Sequence, residues 1–177
     1  MDTNELIIRD VTILDGDKIA AIYNYYILHS ISTFEEDELT FEEVVNRIQQ
    51  VTKNYPWLVA ELDGELIGYA YANEWKSRSA YRFTAETSIY LKQGCNSKGI
   101  GYKLYDALIQ KIEKETLLVN LIGGISLPND SSIRLHEKLG FQKLGQFHQV
   151  GWKFNQWVDV GYWEKRLPVK DLKQKKT

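Results

Sequence analysis

A chain of 177 residues, 44% hydrophobic and 26% charged, has room for one domain with one core and is too apolar for a disordered segment. Its 22 basic against 24 acidic residues leave a net charge of −2, which gives no electrostatic basis for nucleic acid as a partner. The single cysteine, Cys95, excludes an internal disulfide and fits a reducing cytoplasm, where the protein is expected to reside. Residues 1–9 contain acidic side chains and no apolar h-region, so no secretory signal is expected. No apolar run approaches the ~20 residues that span a bilayer, so no membrane partner is expected. One domain over 1–167 is expected, followed by a basic, loose tail over 168–177.

Residues 6–9 read as a short apolar strand. Asp15, Gly16 and Asp17 then offer an N-cap ahead of Ile19, Ile22, Tyr23, Tyr26 and Ile27, which recur at helical spacing. Thr40 with Glu43 reads as a capping box, and Val44, Ile48 and Val51 form the inner stripe of a second helix. Residues 57–62 and 66–73 flank Asp63-Gly64, a two-residue hairpin signal, and residues 82–91 form another extended strand. A polar, glycine-containing loop over 94–101 leads into a helix over 102–114 with Leu104, Leu108 and Ile112 on one face. Residues 117–125 read as a buried strand. Asp130 or Ser131 opens the next helix, Gly140 closes it, and residues 141–149 and 158–165 make the last strands. The order β-α-α-β-β-β-α-β-α-β-β is an α+β pattern, with antiparallel hairpins early and a βαβ crossover later.

The segment Ser97-Lys98-Gly99-Ile100-Gly101 lies between a strand and a helix. Its glycines let backbone N–H groups turn outward, and the helix N-terminus adds the positive end of its dipole, so the segment suits a phosphate or pyrophosphate. Taken alone, it fits a tight turn entering a helix better than a ligand site. It is not a Walker loop, because no Gly-Lys-Ser/Thr follows at the required spacing, and it lacks the third glycine of a dinucleotide fingerprint.

The strand and loop Ser88-Ile89-Tyr90-Leu91 … Lys98-Gly99-Ile100-Gly101 resemble the acetyl-CoA motif of the GNAT N-acetyltransferase superfamily. The block from Pro128 to Phe141, with Asn129, His136 and Lys138, resembles its second cofactor motif. Ile22-Tyr23-Asn24, Thr33-Phe34-Glu35, residues 55–61, 68–72 and 83–90, and Gly151-Trp152-Lys153-Phe154 narrow the resemblance to the phosphinothricin / methionine sulfoximine N-acetyltransferase branch, over residues 7–163. Where the superfamily usually carries Arg or Gln, this chain has Asn96, a shorter amide that implies weaker cofactor affinity.

The resemblance implies a mixed, mostly antiparallel central sheet with helices on both faces. It also implies acetyl-CoA as donor, no metal, and a small amino-acid-like acceptor. Ile89, Tyr90 and Leu91 would offer a strand edge to the pantetheine arm. Ser97, Lys98, Gly99, Ile100, Gly101 and Tyr102 would hold the pyrophosphate, Asn129 would bond the arm, and Lys138 would lie beside it. Glu86 would be the general base and the Leu91 amide an oxyanion donor. His136 stands where many members carry a tyrosine that protonates the thiolate, and an imidazolium can do that near neutral pH. A packed or surface histidine is the competing reading. Lys76 and Arg78 would bind an acceptor anion, with Phe34, Trp75, Ser77 and Tyr81 shaping the pocket. A solvated loop competes with that assignment. His29 and His148 have no identifiable partners, and no metal-ligand spacing is present. A homodimer is expected by the same resemblance. A different amine acceptor and a non-catalytic acyl-CoA-binding module are the alternatives.

Overall fold

The structure, a computed structural model, describes residues 5–95 and 99–170. Its strands are β1 (Leu6–Asp10), β2 (Trp57–Leu62), β3 (Glu65–Glu74), β4 (Thr84–Leu91), β5 (Asn120–Leu127), β6 (Gln142–Lys153) and β7 (Gln156–Arg166). Its α-helices are α1 (Gly16–His29), α2 (Phe41–Val51), α3 (Ile100–Glu115) and α4 (Asp130–Lys138), with 3-10 turns at Ile13–Asp15 and Ser79–Tyr81. The element order is the one expected from the sequence. Residues 171–177 of the expected tail lie outside the described residues.

Local chemistry explains several boundaries. Asp63 and Gly64 both have positive φ, 52° and 81°, the two-residue turn that matches strand twist between β2 and β3. Thr40 Oγ1 accepts from the Glu43 amide at 3.2 Å while Glu43 Oε2 accepts from the Thr40 amide at 2.8 Å, so α2 starts on a full capping box. The strands β6 and β7 run longer than expected. Phe154 and Asn155, at φ 51° and 58°, supply a two-residue turn that a sequence reading does not recognise, because phenylalanine rarely adopts that region.

The seven strands form one sheet in the order β1-β2-β3-β4-β5-β7-β6, antiparallel throughout except for β4 and β5. That parallel pair requires a crossover, and α3 makes it. One face is covered by α1 and α2, whose Ile19, Tyr23, Ile27, Val44 and Ile48 pack on Trp57, Val59, Leu66 and Tyr69. The other is covered by α3, whose Leu104, Tyr105, Leu108 and Ile112 pack on Leu58, Ala60, Ala70, Ala85 and Leu121. The two apolar faces explain why the middle strands read as near-continuous hydrophobic runs.

The sheet has one discontinuity. β4 pairs with β5 only over Thr84, Ala85 and Glu86 against Asn120, Leu121 and Ile122. Beyond that point β5 continues with β7, from Gly123 to Leu127 against Trp163 to Asp159. Among the described residues, the rest of β4, Thr87 to Leu91, has no strand on its β5 side.

Candidate active site

The parting of β4 and β5 opens a cleft of about 190 Å³. Its walls are the backbone of β4 from Thr87 to Leu91, β5 from Gly124 to Ser126, Tyr26 of α1, and Asn129, Leu135 and His136 of α4. Main-chain groups on a strand edge must find partners or water, so an open edge facing a narrow cleft is a template for an extended ligand. Of the sequence-derived residues, Ile89, Tyr90, Leu91, Asn129 and His136 line this cleft together.

The far end of β4 runs into the start of α3. Gly99, at φ 71°, is the N-cap of α3 in a left-handed conformation that favours glycine, and the first turn of the helix carries no acidic residue. A Cβ on Gly101 would stand 3.2 Å from Leu91 Cδ1, so the missing side chain lets the helix N-terminus lie close against the end of the open strand. The arrangement keeps unpaired amides and the positive end of the helix dipole in line with the cleft. Ser97 and Lys98 lie outside the described residues, as does Asn96. Lys138 does not enter the cleft; its Nζ sits 4.9 Å from the Tyr102 ring centroid, a cation–π contact. Asn129 caps α4 by accepting from the Ser132 amide at 3.1 Å, and its Nδ2 donates to Ser32 Oγ at 3.4 Å.

Glu86 is the last β4 residue paired with β5, so its half-buried carboxylate stands where the strands separate. Burial raises its pKa above the ordinary 4.5. Two neighbours escaped the sequence reading. Gly124 leaves space for the carboxylate, since a Cβ there would lie 3.1 Å from Glu86 Oε1 and 3.4 Å from Tyr162 Cε1. Tyr162 of β7 thus flanks the same carboxylate. Adjacent glycines inside a predicted strand were the available signal, because they mark a close approach by another group.

Gly123 does the same for His136, whose ring would lie 2.6 Å from a Cβ at that position. His136 is 4% exposed, and its Nδ1 donates to the Ser132 carbonyl at 2.8 Å. Its Nε2 lies 3.1 Å from the Tyr105 hydroxyl, which shares a hydrogen bond of 2.7 Å with Thr87 Oγ1. Burial lowers the His136 pKa, opposed by the bond to Ser132. The thiolate-protonating role that the resemblance implies would use the imidazolium, and burial works against that charged form. Glu86 and His136 also belong to opposite faces of the sheet, since odd-numbered Thr87 bonds Tyr105 of α3 while even-numbered Tyr90 packs on Tyr23 and Tyr26 of α1.

The residues expected to hold the acceptor are not gathered in the cleft. Trp75 packs edge-on against Tyr162 at 5.6 Å and so reaches the neighbourhood of Glu86 through one intermediary. Lys76 Nζ lies 5.5 Å from the Trp75 ring and 5.7 Å from the Tyr81 ring, on the outer side. Ser77 and Arg78 are exposed. Phe34 is 42% exposed and lies against Gly151 of β6, where a Cβ would fall 2.3 Å from its ring. No group of His, Cys, Asp and Glu with the geometry of a metal site occurs among the described residues. Nor is any helix among them long and apolar enough to cross a membrane.

A mixed sheet parted beside a crossover helix, with a carboxylate at the parting, makes a strand-edge site for an extended ligand. The chain matches the Acetyltransferase (GNAT) domain family over residues 8–161 and belongs to it. It is 37% identical over 158 residues to phosphinothricin N-acetyltransferase of Streptomyces viridochromogenes, with 89% of this chain and 86% of that protein covered. It is 34% identical over 165 residues to L-methionine sulfoximine/L-methionine sulfone acetyltransferase of Pseudomonas aeruginosa, with 90% and 94% covered. The crystal structure of a GNAT superfamily phosphinothricin acetyltransferase from Sinorhizobium meliloti in complex with acetyl-CoA aligns at a TM-score of 0.88 and 34% identity, over 97% of this chain and 93% of that one. The chain is an N-acetyltransferase with the GNAT fold.

Proposed function

We propose that the chain transfers an acetyl group from acetyl-CoA to the amino group of a small amino-acid-like acceptor of the phosphinothricin, methionine sulfoximine or methionine sulfone type. One observation carries the reading: the open edge of β4 ends at a half-buried carboxylate at one end and at the acid-free N-terminus of α3 at the other. An extended arm bearing amides fits the β5-side edge of β4 between Thr87 and Leu91, where Tyr26 already holds the Leu91 carbonyl, and a diphosphate fits the helix start over Gly99, Ile100, Gly101 and Tyr102. Ser97 and Lys98 are assigned to the same diphosphate by resemblance. When bound, acetyl-CoA supplies an activated acyl carbon on a thiol leaving group.

The residues of this chain then have three tasks. Glu86 takes the proton from the acceptor ammonium, directly or through a water, because only the neutral amine is a nucleophile. Its raised pKa strengthens it as a base. The Leu91 amide is assigned to the developing oxyanion, where a fixed dipole acts without reorganisation. Trp75 and Tyr162 wall the acceptor side, Phe34 closes it, and Lys76 and Arg78 at its lip attract the acceptor's anionic group, with Ser77 and Tyr81 beside them. His136 holds the α4 wall in place through its bonds to Ser132 and Tyr105.

Relatives acting on amino-acid-like acceptors support the acceptor class. A homodimer is supported by the β6–β7 hairpin, which exposes Phe147, Trp152, Phe154 and Trp157 by half or more of their surface. A cytoplasmic location is supported by the acetyl-CoA requirement and the single cysteine. The test is a thiol-release assay over a panel of phosphinothricin, methionine sulfone, polyamines, an aminoglycoside and a peptide N-terminus. Turnover confined to the amino-acid analogues supports the proposal. Preference for a cationic amine overturns the acceptor class, and tight acetyl-CoA binding without thiol release overturns catalysis.

A further inference from the structure

Lys153 is 2% exposed, one of the most completely buried side chains of the protein. An ammonium in such a place loses hydration and must be compensated by close acceptors. Among the described residues it makes no ion pair within 4 Å; it donates instead to two main-chain carbonyls, Ser30 at 2.9 Å and Thr33 at 2.8 Å. Burial lowers its pKa, against the pull of Glu35 and Glu36. An apolar side chain would fill the space without that cost, so the ammonium earns its position through what it holds.

What it holds is the start of the connection between α1 and α2. The same segment is tied to β5 by Ser126 Oγ, which donates to the Ile31 carbonyl at 2.6 Å, and Ser32 lines the cleft. Two residues before Lys153 on the same face of β6, Gly151 receives the ring of Phe34. The strand faces inward here because of a bulge between Phe147 and Gly151, centred on Gln149 at φ 51°. Asp159 of β7 fixes that bulge, accepting from the Gln149 amide and Gln146 Nε2, each at 2.8 Å, and from His148 Nδ1 at 3.0 Å.

We propose that Lys153 is a positioning residue for the acceptor: its buried ammonium clamps the turn over residues 30–33 so that Ser32 and Phe34 are presented to the acceptor side of the cleft. This rests on the acetyl-transfer reading above for its functional half, and on geometry alone for its structural half. Lys153 touches neither the open edge of β4 nor the start of α3, and the turn meets the donor cleft through Ser32 at long distances, 3.4 Å from Asn129 Nδ2 and 3.5 Å from the Tyr90 hydroxyl, so donor binding changes less than acceptor binding.

The test is Lys153→Met in the full chain, which keeps the stem and removes the donors. Hydrogen exchange of the amides over residues 30–35 is expected to speed at least tenfold, with KM for the acceptor up tenfold or more and KM for acetyl-CoA within twofold. Unchanged exchange and unchanged acceptor KM overturn the proposal, as does a parallel rise of both KM values. Should Lys153→Met not fold, Gly151→Ala, which displaces Phe34, must give the same split between acceptor and donor KM, and an equal effect on both overturns the proposal. A wild-type protein that acetylates nothing in the panel refutes the acetyl-transfer reading, while the exchange measurement still decides whether Lys153 holds the turn.

Discussion

Gly124 and Glu86 fit together with no space to spare: a methyl group on the glycine would come within 3.1 Å of the carboxylate oxygen. Gly124→Ala is therefore expected to push the Glu86 side chain off its position, lowering kcat by roughly tenfold, since small misplacements of a reacting group are costly. Acetyl-CoA affinity should stay within about twofold, because the affected wall is on the carboxylate side. The neighbouring change, Gly123→Ala, drives a Cβ to 2.6 Å from the buried His136 ring and should destabilise the fold by about 1–3 kcal/mol. Steady-state kinetics and urea unfolding separate the two effects.

Glu86→Gln removes the proposed base while preserving shape, and kcat is expected to fall by roughly 100-fold or more. The pH profile gives the sign. The active form is the ionised one, so kcat/KM rises with pH through the Glu86 pKa, which burial has moved above 4.5. In the glutamine variant that limb should be absent, so a variant retaining it would require another base.

His136 predicts a pH-dependent stability. Its folded pKa lies below the ordinary 6.5, mainly through burial. As pH falls past 6.5 the unfolded chain binds a proton that the folded chain does not yet accept, so stability declines until the lower folded value is reached, and then no further. His136→Gln should flatten this part of the stability curve. Urea midpoints of both proteins from neutral pH to about pH 5 test it.

Asp15 predicts a further loss of stability at lower pH. The carboxylate is 3% exposed; burial pushes its pKa up, but Arg9, bonding through two nitrogens at 2.8 Å each, and the Thr12 amide at 2.8 Å hold it below 3.8. A depressed folded pKa gives stability that is present above 3.8 and lost as pH falls through the folded value. Arg9 is 33% exposed, so solvent weakens the pair, and Asp15→Asn should cost about 1–3 kcal/mol. The variant should also lose that step of acid unfolding, as monitored by circular dichroism.

Much of the scaffold was legible locally. The Asp63-Gly64 turn, the Thr40–Glu43 capping box and the glycines that open α3 are decided by backbone freedom and short-range hydrogen bonds, and each signals itself within a few residues. The Phe154-Asn155 turn was hidden because its first residue ordinarily avoids positive φ, so β6 was expected to end four residues early. Glu86 and the open strand were reached by resemblance to a family, since nothing in the local pattern of β4 tells that its β5 neighbour departs after three pairs. The surroundings of His136 were hidden for the same kind of reason: the Tyr105 and Thr87 hydroxyls of its network come from 31 residues away and beyond. Nothing local signals the burial of Lys153, because it follows from the bulge at Gln149 and from packing against residues 30–33.

The parted strands also bear on how the molecule endures heat. Three residue pairs join the β1–β4 half of the sheet to the β5–β7 half, and whatever extended chain occupies the seam becomes a stitch between them. A donor bound there stabilises the native state by mass action, about 2.7 kcal/mol at a hundredfold excess over Kd. The melting temperature should climb with each increment of coenzyme, so that a full coenzyme pool doubles as a reinforcing strut for the enzyme that draws on it.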